Sequence, residues 1–225
     1  MGHHGAGRVR LARFLPLPSV REYREKSCSE TAQVEQEKCL RMRHEGTFEL
    51  FSYWNRLRAG RSAPARNEIE PGDIRKRLPG TFILERKGAV DGAFRLAGTE
   101  LCAAHGRELK GTSFADLWRI EDRGLIARVM RTVFNQMRVA LLSYEGRNEH
   151  GRTAEFELLL LPLAATAEER RLLGSSFAVE RPYWLGAHPI TGCNLGNVRI
   201  IDPNRDPIFL KNRPAIDLTQ RRSVG

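Results

Sequence analysis

The segment FRLAGTELCAAHGRELKGTSFADLW, residues 94–118, limits the fold more than any other part of the chain. It begins as a short apolar run, Phe94-Arg-Leu-Ala, that stops at Gly98-Thr99. Residues 100–105 are compatible with a helix but too few to hold one alone, because a first helical turn loses more freedom than its hydrogen bonds return. A larger body must hold them. Two glycines then bracket a charged turn, Gly106-Arg-Glu-Leu-Lys-Gly111, and Thr112 or Ser113 offers a side-chain oxygen to cap a further helical turn over 114–118. Strand, short helices and then more helix is the order this segment dictates.

The flanking sequence supplies the body. Between residues 122 and 138, Leu125, Ile126, Val129, Met130, Val133, Phe134 and Met137 recur in adjacent pairs, with Arg123, Arg128, Arg131 and Gln136 on the other side. That spacing predicts an amphipathic helix laid on a core. Before it, 81–85 and 93–97 read as an antiparallel hairpin around a turn at 87–92, and after it 139–145, 153–163 and 172–181 read as three more strands. In the last, Leu173, Ser175, Phe177 and Val179 alternate with Gly174, Ser176 and Ala178, so one face is bulky and the other nearly bare, open to close approach. Glu155 and Glu157 alternate along the middle strand and are expected on its solvent face. Upstream, Phe48, Phe51, Trp54 and Leu57 stand three apart, the stripe of a helix over 48–57, and a short helix is expected between Pro71 and Pro79. The fold class is therefore α+β: a five-stranded antiparallel sheet with helices inserted between strands 2 and 3, and an N-terminal helical cap.

The strand end Arg95-Leu-Ala-Gly-Thr99, the turn Gly106-Arg-Glu-Leu-Lys-Gly111 and the pair Leu117-Trp118 resemble the pattern of a bacterial, mostly alphaproteobacterial, family of small stand-alone PAS-like proteins. Tyr53-Trp54-x-x-Leu57-Arg58 and Ile74-x-x-x-Leu78-Pro79 extend the resemblance to about residues 48–181. It implies a PAS-like domain with its helical cap over 46–181 and a sensing or regulatory role without catalysis, exercised through a protein partner or a homodimer. Domains of this kind often hold a small ligand between the inner face of the sheet and the helices. Phe94, Leu96, Trp118, Met130, Phe134, Tyr144, Phe156 and Phe177 are the candidates to line such a pocket here. The competing reading is that they simply fill the core. Pairing through the cap makes Phe48, Phe51, Trp54 and Leu57 the candidate interface, so that replacing Phe51 and Trp54 with Asp is expected to dissociate an oligomer and preserve the fold.

Composition narrows the alternatives. The net charge of +10 is spread over the whole chain with no dense patch, which favours acidic partners. A nucleic-acid adaptor built on Arg56, Arg58, Arg61, Arg75, Lys76 and Arg77 is the alternative function, and the intervening acids disfavour it. Four cysteines, Cys28, Cys39, Cys102 and Cys193, form no CxxC pair and suit reduced thiols in the cytoplasm. The basic start around Arg8–Arg13 is followed by prolines and no small-residue cleavage site, so no signal peptide is expected. No membrane insertion is expected either, since the longest apolar run, residues 158–165, is less than half the roughly 20 residues a spanning helix needs. Residues 1–45 carry few large apolar side chains and read as a flexible extension, with Met42 an alternative start to Met1. Residues 182–225 read as a partly disordered C-terminal extension with no further domain.

Chemistry is sparse. Cys102 and His105 stand three apart on one short helix, but no third ligand accompanies them, so no metal site is assigned and a core cysteine beside a surface histidine is expected. The long helix has no histidine to serve as an axial ligand, which disfavours haem. The turn Gly106-Arg-Glu-Leu lacks the cysteine of light-sensing PAS domains, which disfavours a photoactive flavin. Neither a Gly-x-Ser-x-Gly elbow, a His-Glu-x-x-His pair nor a phosphate-binding glycine loop is present, and no residue is assigned a catalytic role. An enzyme would have to be built around His105 or His188. The cofactor, if any, is unknown at this level.

Overall fold

The run Leu158-Leu-Leu-Leu161 is apolar at every position, and such a strand is stable only where both of its faces are covered. The computed structural model provides that cover. It describes residues 41–87, 90–164, 170–204 and 209–210, so the expectations for residues 1–40 and 211–225 fall outside the described residues. The elements are β1 (Arg41–Met42), α1 (Glu45–Arg58), β2 (Thr81–Lys87), β3 (Val90–Ala97), α2 (Thr99–Ala104), α3 (Ile120–Gln136), β4 (Val139–Asn148), β5 (Thr153–Pro162), β6 (Arg171–Ala178), β7 (Ile190–Ile201) and β8 (Phe209–Leu210). Six strands make one sheet in the order β3-β2-β6-β5-β4-β7, with every neighbouring pair antiparallel. The helices between β3 and β4 stand where the sequence placed them. The two-residue strands β1 and β8 pair separately, in parallel.

Alternation along the strands feeds two cores. Phe82, Leu84, Phe94, Leu142, Tyr144, Phe156, Leu158, Leu160 and Leu172 point to the inner face, where they meet α2, the single turn Phe114–Leu117 and α3. Ile83, Leu141, Leu159, Leu161 and Leu173 point to the outer face, where α1 lies across them with Leu50, Phe51 and Trp54. α3 contributes Ile126, Val129, Met130, Val133 and Phe134 to the inner core. Leu125, expected in that stripe, is 43% exposed on the first turns of the helix, and Met137 lies past its end, packed on the outer core.

Four expectations are corrected. The sheet has six strands, not five: β7 comes from the stretch read as a partly disordered extension with no further domain. As an edge strand it has one sheet neighbour to satisfy, so Gly192, Asn194, Gly196 and Asn197 are tolerated within it, and the apolar alternation that would announce a strand is lost. Between Pro71 and Pro79 there is a string of turns closed by the single turn Leu78–Gly80, because two prolines and Gly72 leave too short a span to propagate a helix. Leu96 is turned outward, since an extra residue at Arg95 sets Phe94 opposite Leu84 but Leu96 opposite Ile83. Glu157 is 4% exposed and sits under the start of α1, not in solvent.

Candidate functional site

The inner core is closed by a continuous row of rings. Phe82, Phe94 and Phe114 form a triangle with centroids 5.6–5.9 Å apart. Phe114 meets Trp118 at 5.6 Å, Trp118 meets Tyr144 edge-on at 5.2 Å, and Tyr144 stacks on Phe156 at 4.8 Å. The bare face of β6 admits this row: a Cβ built on Gly174 would lie 2.2 Å from the Phe82 ring. Ser176, next along that face, shares a buried 2.8 Å hydrogen bond with the Tyr144 hydroxyl. The close approach anticipated for this face is thus made by the protein's own side chains.

Of the eight candidate pocket residues, Phe94, Trp118, Met130, Phe134, Tyr144 and Phe156 come together in this core. Leu96 and Phe177 do not. Leu96 is 49% exposed, and Phe177 belongs to the outer face, stacked on His44 with centroids 4.6 Å apart. Two polar atoms beside the inner core are buried without a partner among the described residues, Trp118 Nε1 and His105 Nε2. His105 is a buried residue, held by a hydrogen bond with the Ile190 backbone, and its burial pushes its pKa down from 6.5 to about 4. Cys102 is the half-buried member of that pair, its thiol held up in pKa by burial, and Cys193 is pushed up to about 12 for the same reason. The surface histidine beside a core cysteine is therefore reversed. No cluster of three His, Cys, Asp or Glu side chains suited to a metal occurs among the described residues.

The outer face removes the expected interface. Trp54 is fully buried against the chain's own sheet and its indole N–H donates to Pro162 O at 2.8 Å. Phe51 is 6% exposed, and Phe48 and Leu57 pack on the same cluster from its margin. An Asp at Phe51 or Trp54 would thus sit inside the second core, and the expectation that such a variant keeps its fold is withdrawn. A polar clamp fixes this helix. The Glu157 carboxylate accepts the N–H groups of Arg43 at 2.6 Å and His44 at 3.0 Å, and Arg43 pairs with Glu155. His44 Nδ1 in turn caps α1 by accepting from Gly46 N–H at 3.0 Å. Burial raises the Glu157 pKa, and the two backbone donors oppose that rise.

The basic residues are unequally committed. Arg58 is buried and donates to Asn55, to Asn204 and to the carbonyls of Arg61 and Pro203. Arg61 pairs with Glu68, and Arg77 with Glu49 and Glu45. Arg56, Arg75 and Lys76 remain exposed around a groove of about 620 Å³ between α1 and residues 72–77. Sequence reasoning singled out Phe48 and the cations Arg56, Arg75 and Lys76 but not the groove, because its two walls lie about 20 residues apart and meet only in the fold.

A model of the PAS domain family matches residues 42–177, more than half of the chain. This chain belongs to the PAS domain family. Its PAS domain is similar to solved structures at low identity. These include a variant of RsLOV (14% identity, TM-score 0.38, 48% of this chain and 64% of that one) and a PAS domain of a two-component sensor histidine kinase (16%, 0.35, 47% and 88%). A third is the PAS domain of an HTR-like protein from Haloarcula marismortui (20%, 0.34, 44% and 80%). The match spans less than two-thirds of the RsLOV variant. No curated protein matches the chain. PAS domains are in general sensory and regulatory, and commonly bind small ligands or other proteins. No helix among the described residues is long and apolar enough to cross a membrane.

Proposed function

We propose that this PAS domain is a bacterial, cytoplasmic regulatory module that acts by protein–protein interaction, with a partner or a second copy. The observation that carries the reading is the aromatic row of the inner core: six of the candidate pocket residues belong to one packed cluster, which favours the surface as the route by which a signal enters or leaves. The family's alphaproteobacterial distribution, taken from the sequence resemblance, is part of the same reading. A nucleic-acid role is disfavoured because Arg58, Arg61 and Arg77, half of its candidate patch, are held by internal partners.

One observation favours a second reading. Trp118 Nε1–H is a buried donor with no partner among the described residues, and such a group costs stability of about 1–3 kcal/mol unless something accepts its hydrogen bond. A small ligand with an acceptor oxygen or nitrogen beside Trp118 would do so. Native mass spectrometry of the protein from its own host, set against its denatured mass, separates the two. The interaction reading expects a complex containing a second polypeptide. A single chain carrying a small-molecule mass that Trp118→Phe abolishes would overturn it.

A further inference from the structure

The groove between α1 and residues 72–77 is built before anything binds it. Tyr53 on α1 staples the far wall, its hydroxyl accepting Glu70 N–H at 2.8 Å and lying 3.4 Å from Glu70 O. Arg77 ties the same wall to Glu49 at 2.5 Å. Within this frame the three cations Arg56, Arg75 and Lys76 make no ion pair with any described residue. Arg56 is held above the Tyr53 ring, 5.6 Å from its centroid. Phe48 is half-buried and forms an apolar patch among these charges. Glu49 and Asp73 interrupt the rim.

Free cations around an apolar patch select an anion that also carries an apolar group. A nucleic-acid backbone fits poorly. It gains from many phosphate contacts, roughly 6–10 for strong salt-dependent binding, whereas only three cations here are without an ion pair among the described residues. Carboxylates spaced along a polypeptide, with an apolar side chain between them, match both features. Resting on the reading of the domain as an interaction module, we infer that this groove docks a short acidic segment of a partner protein. Its carboxylates pair with Arg56, Arg75 and Lys76, and an apolar side chain packs on Phe48. Because the walls are already fixed, little ordering opposes the docking.

The test is fluorescence anisotropy on the full chain with a labelled peptide of repeated Glu-Glu-Leu. Arg75→Glu with Lys76→Glu is expected to weaken binding by about tenfold or more, because two attractions become repulsions. Arg128→Glu with Arg131→Glu on the exposed side of α3 changes net charge equally and is expected to stay within about twofold. Replacing Leu by Ser in the peptide should weaken binding several-fold. Equal losses in both charge variants would make the attraction general and overturn the proposal, as would absence of binding to the unaltered protein. Indifference to Leu would remove the part assigned to Phe48. An oligonucleotide of equal charge that binds more tightly and responds to the same variants would give the groove to nucleic acid. None of these failures touches the mass measurement of a protein complex, so the module reading and the groove are judged separately.

Discussion

The two faces of the sheet are both buried, yet they are closed by different physics. The inner face is sealed by aromatic rings in contact with one another, with one hydroxyl pair, Tyr144 and Ser176, satisfied inside it. The outer face is sealed by aliphatic side chains under a single helix, and that helix is positioned by polar contacts: Trp54 to Pro162 O and Glu157 to the N–H groups ahead of α1. Ring packing sets the inner face. Hydrogen bonds set the outer one. α1 therefore closes a second core with a polar clamp at its start, and its removal would strip the central strands of much of their cover on that face.

The largest test of that contrast is at the two tryptophans. Trp54→Ala is expected to cost about 3–5 kcal/mol in urea unfolding, the range for a fully buried large aromatic. Trp54→Phe sharpens the comparison, since it also strands the Pro162 carbonyl. It should cost about 1–3 kcal/mol more than Trp118→Phe, whose indole N–H has no partner to lose. Equal costs would mean that Trp118 has an acceptor after all.

Next is pH, where the two faces should respond in opposite directions. His105, beside the inner core, is neutral when folded and takes up its proton only near pH 4, while the unfolded chain takes it up near 6.5. The unfolded state thus binds more protons in that window, and stability is lost as pH falls from 6.5 to about 4, by roughly 3 kcal/mol in all. Glu157, on the outer face, has its pKa raised above the ordinary 4.5, so the folded state holds its proton longer than the unfolded chain. Its contribution is present at low pH and is lost as pH rises from 4.5 through the raised value. Unfolding measured against pH should show His105→Gln flattening the acid limb and Glu157→Gln removing the loss on the rising side. A slope of the same sign for both residues would break the comparison.

The smallest effects come from glycines. Gly174→Ala should cost about 1–3 kcal/mol, because its Cβ would overlap a Phe82 ring that is itself buried and cannot retreat. Gly124→Ala, on α3 with nothing within 4 Å of the new Cβ, should instead gain about 0.5–1 kcal/mol from helix propensity. Thermal or urea midpoints of the pair measure whether the bare face of β6 is a packing requirement.

Much of this was legible. The inner stripe of α3 and the hairpin of β2 and β3 follow from periods that each segment carries within itself. The bulky and bare faces of β6 are also legible as two faces, but not which of them meets the aromatic core. The run of leucines in β5, legible as a strand, also signals that both faces are covered, and so a second core that the alternation of its neighbours alone does not announce. Leu96 was misplaced because one extra residue in a strand reverses every side chain beyond it, and nothing local announces the bulge at Arg95. β7 was missed because an edge strand needs little apolar content. The groove was invisible because its cations are free only by comparison with Arg58, Arg61 and Arg77, whose partners lie up to 146 positions away.

By itself the sequence determined the order and type of most elements, since helix and strand periods are properties of neighbouring residues. It also determined membership of the PAS domain family, which a family model over residues 42–177 shows. Only the tertiary structure decided that Phe51 and Trp54 of α1 are core, that Glu157 is buried and that His105 is held neutral. Those outcomes depend on which distant backbone or ring arrives beside each side chain, and the free energy of burying a polar group is set by that neighbour and not by the residue's own place in the chain.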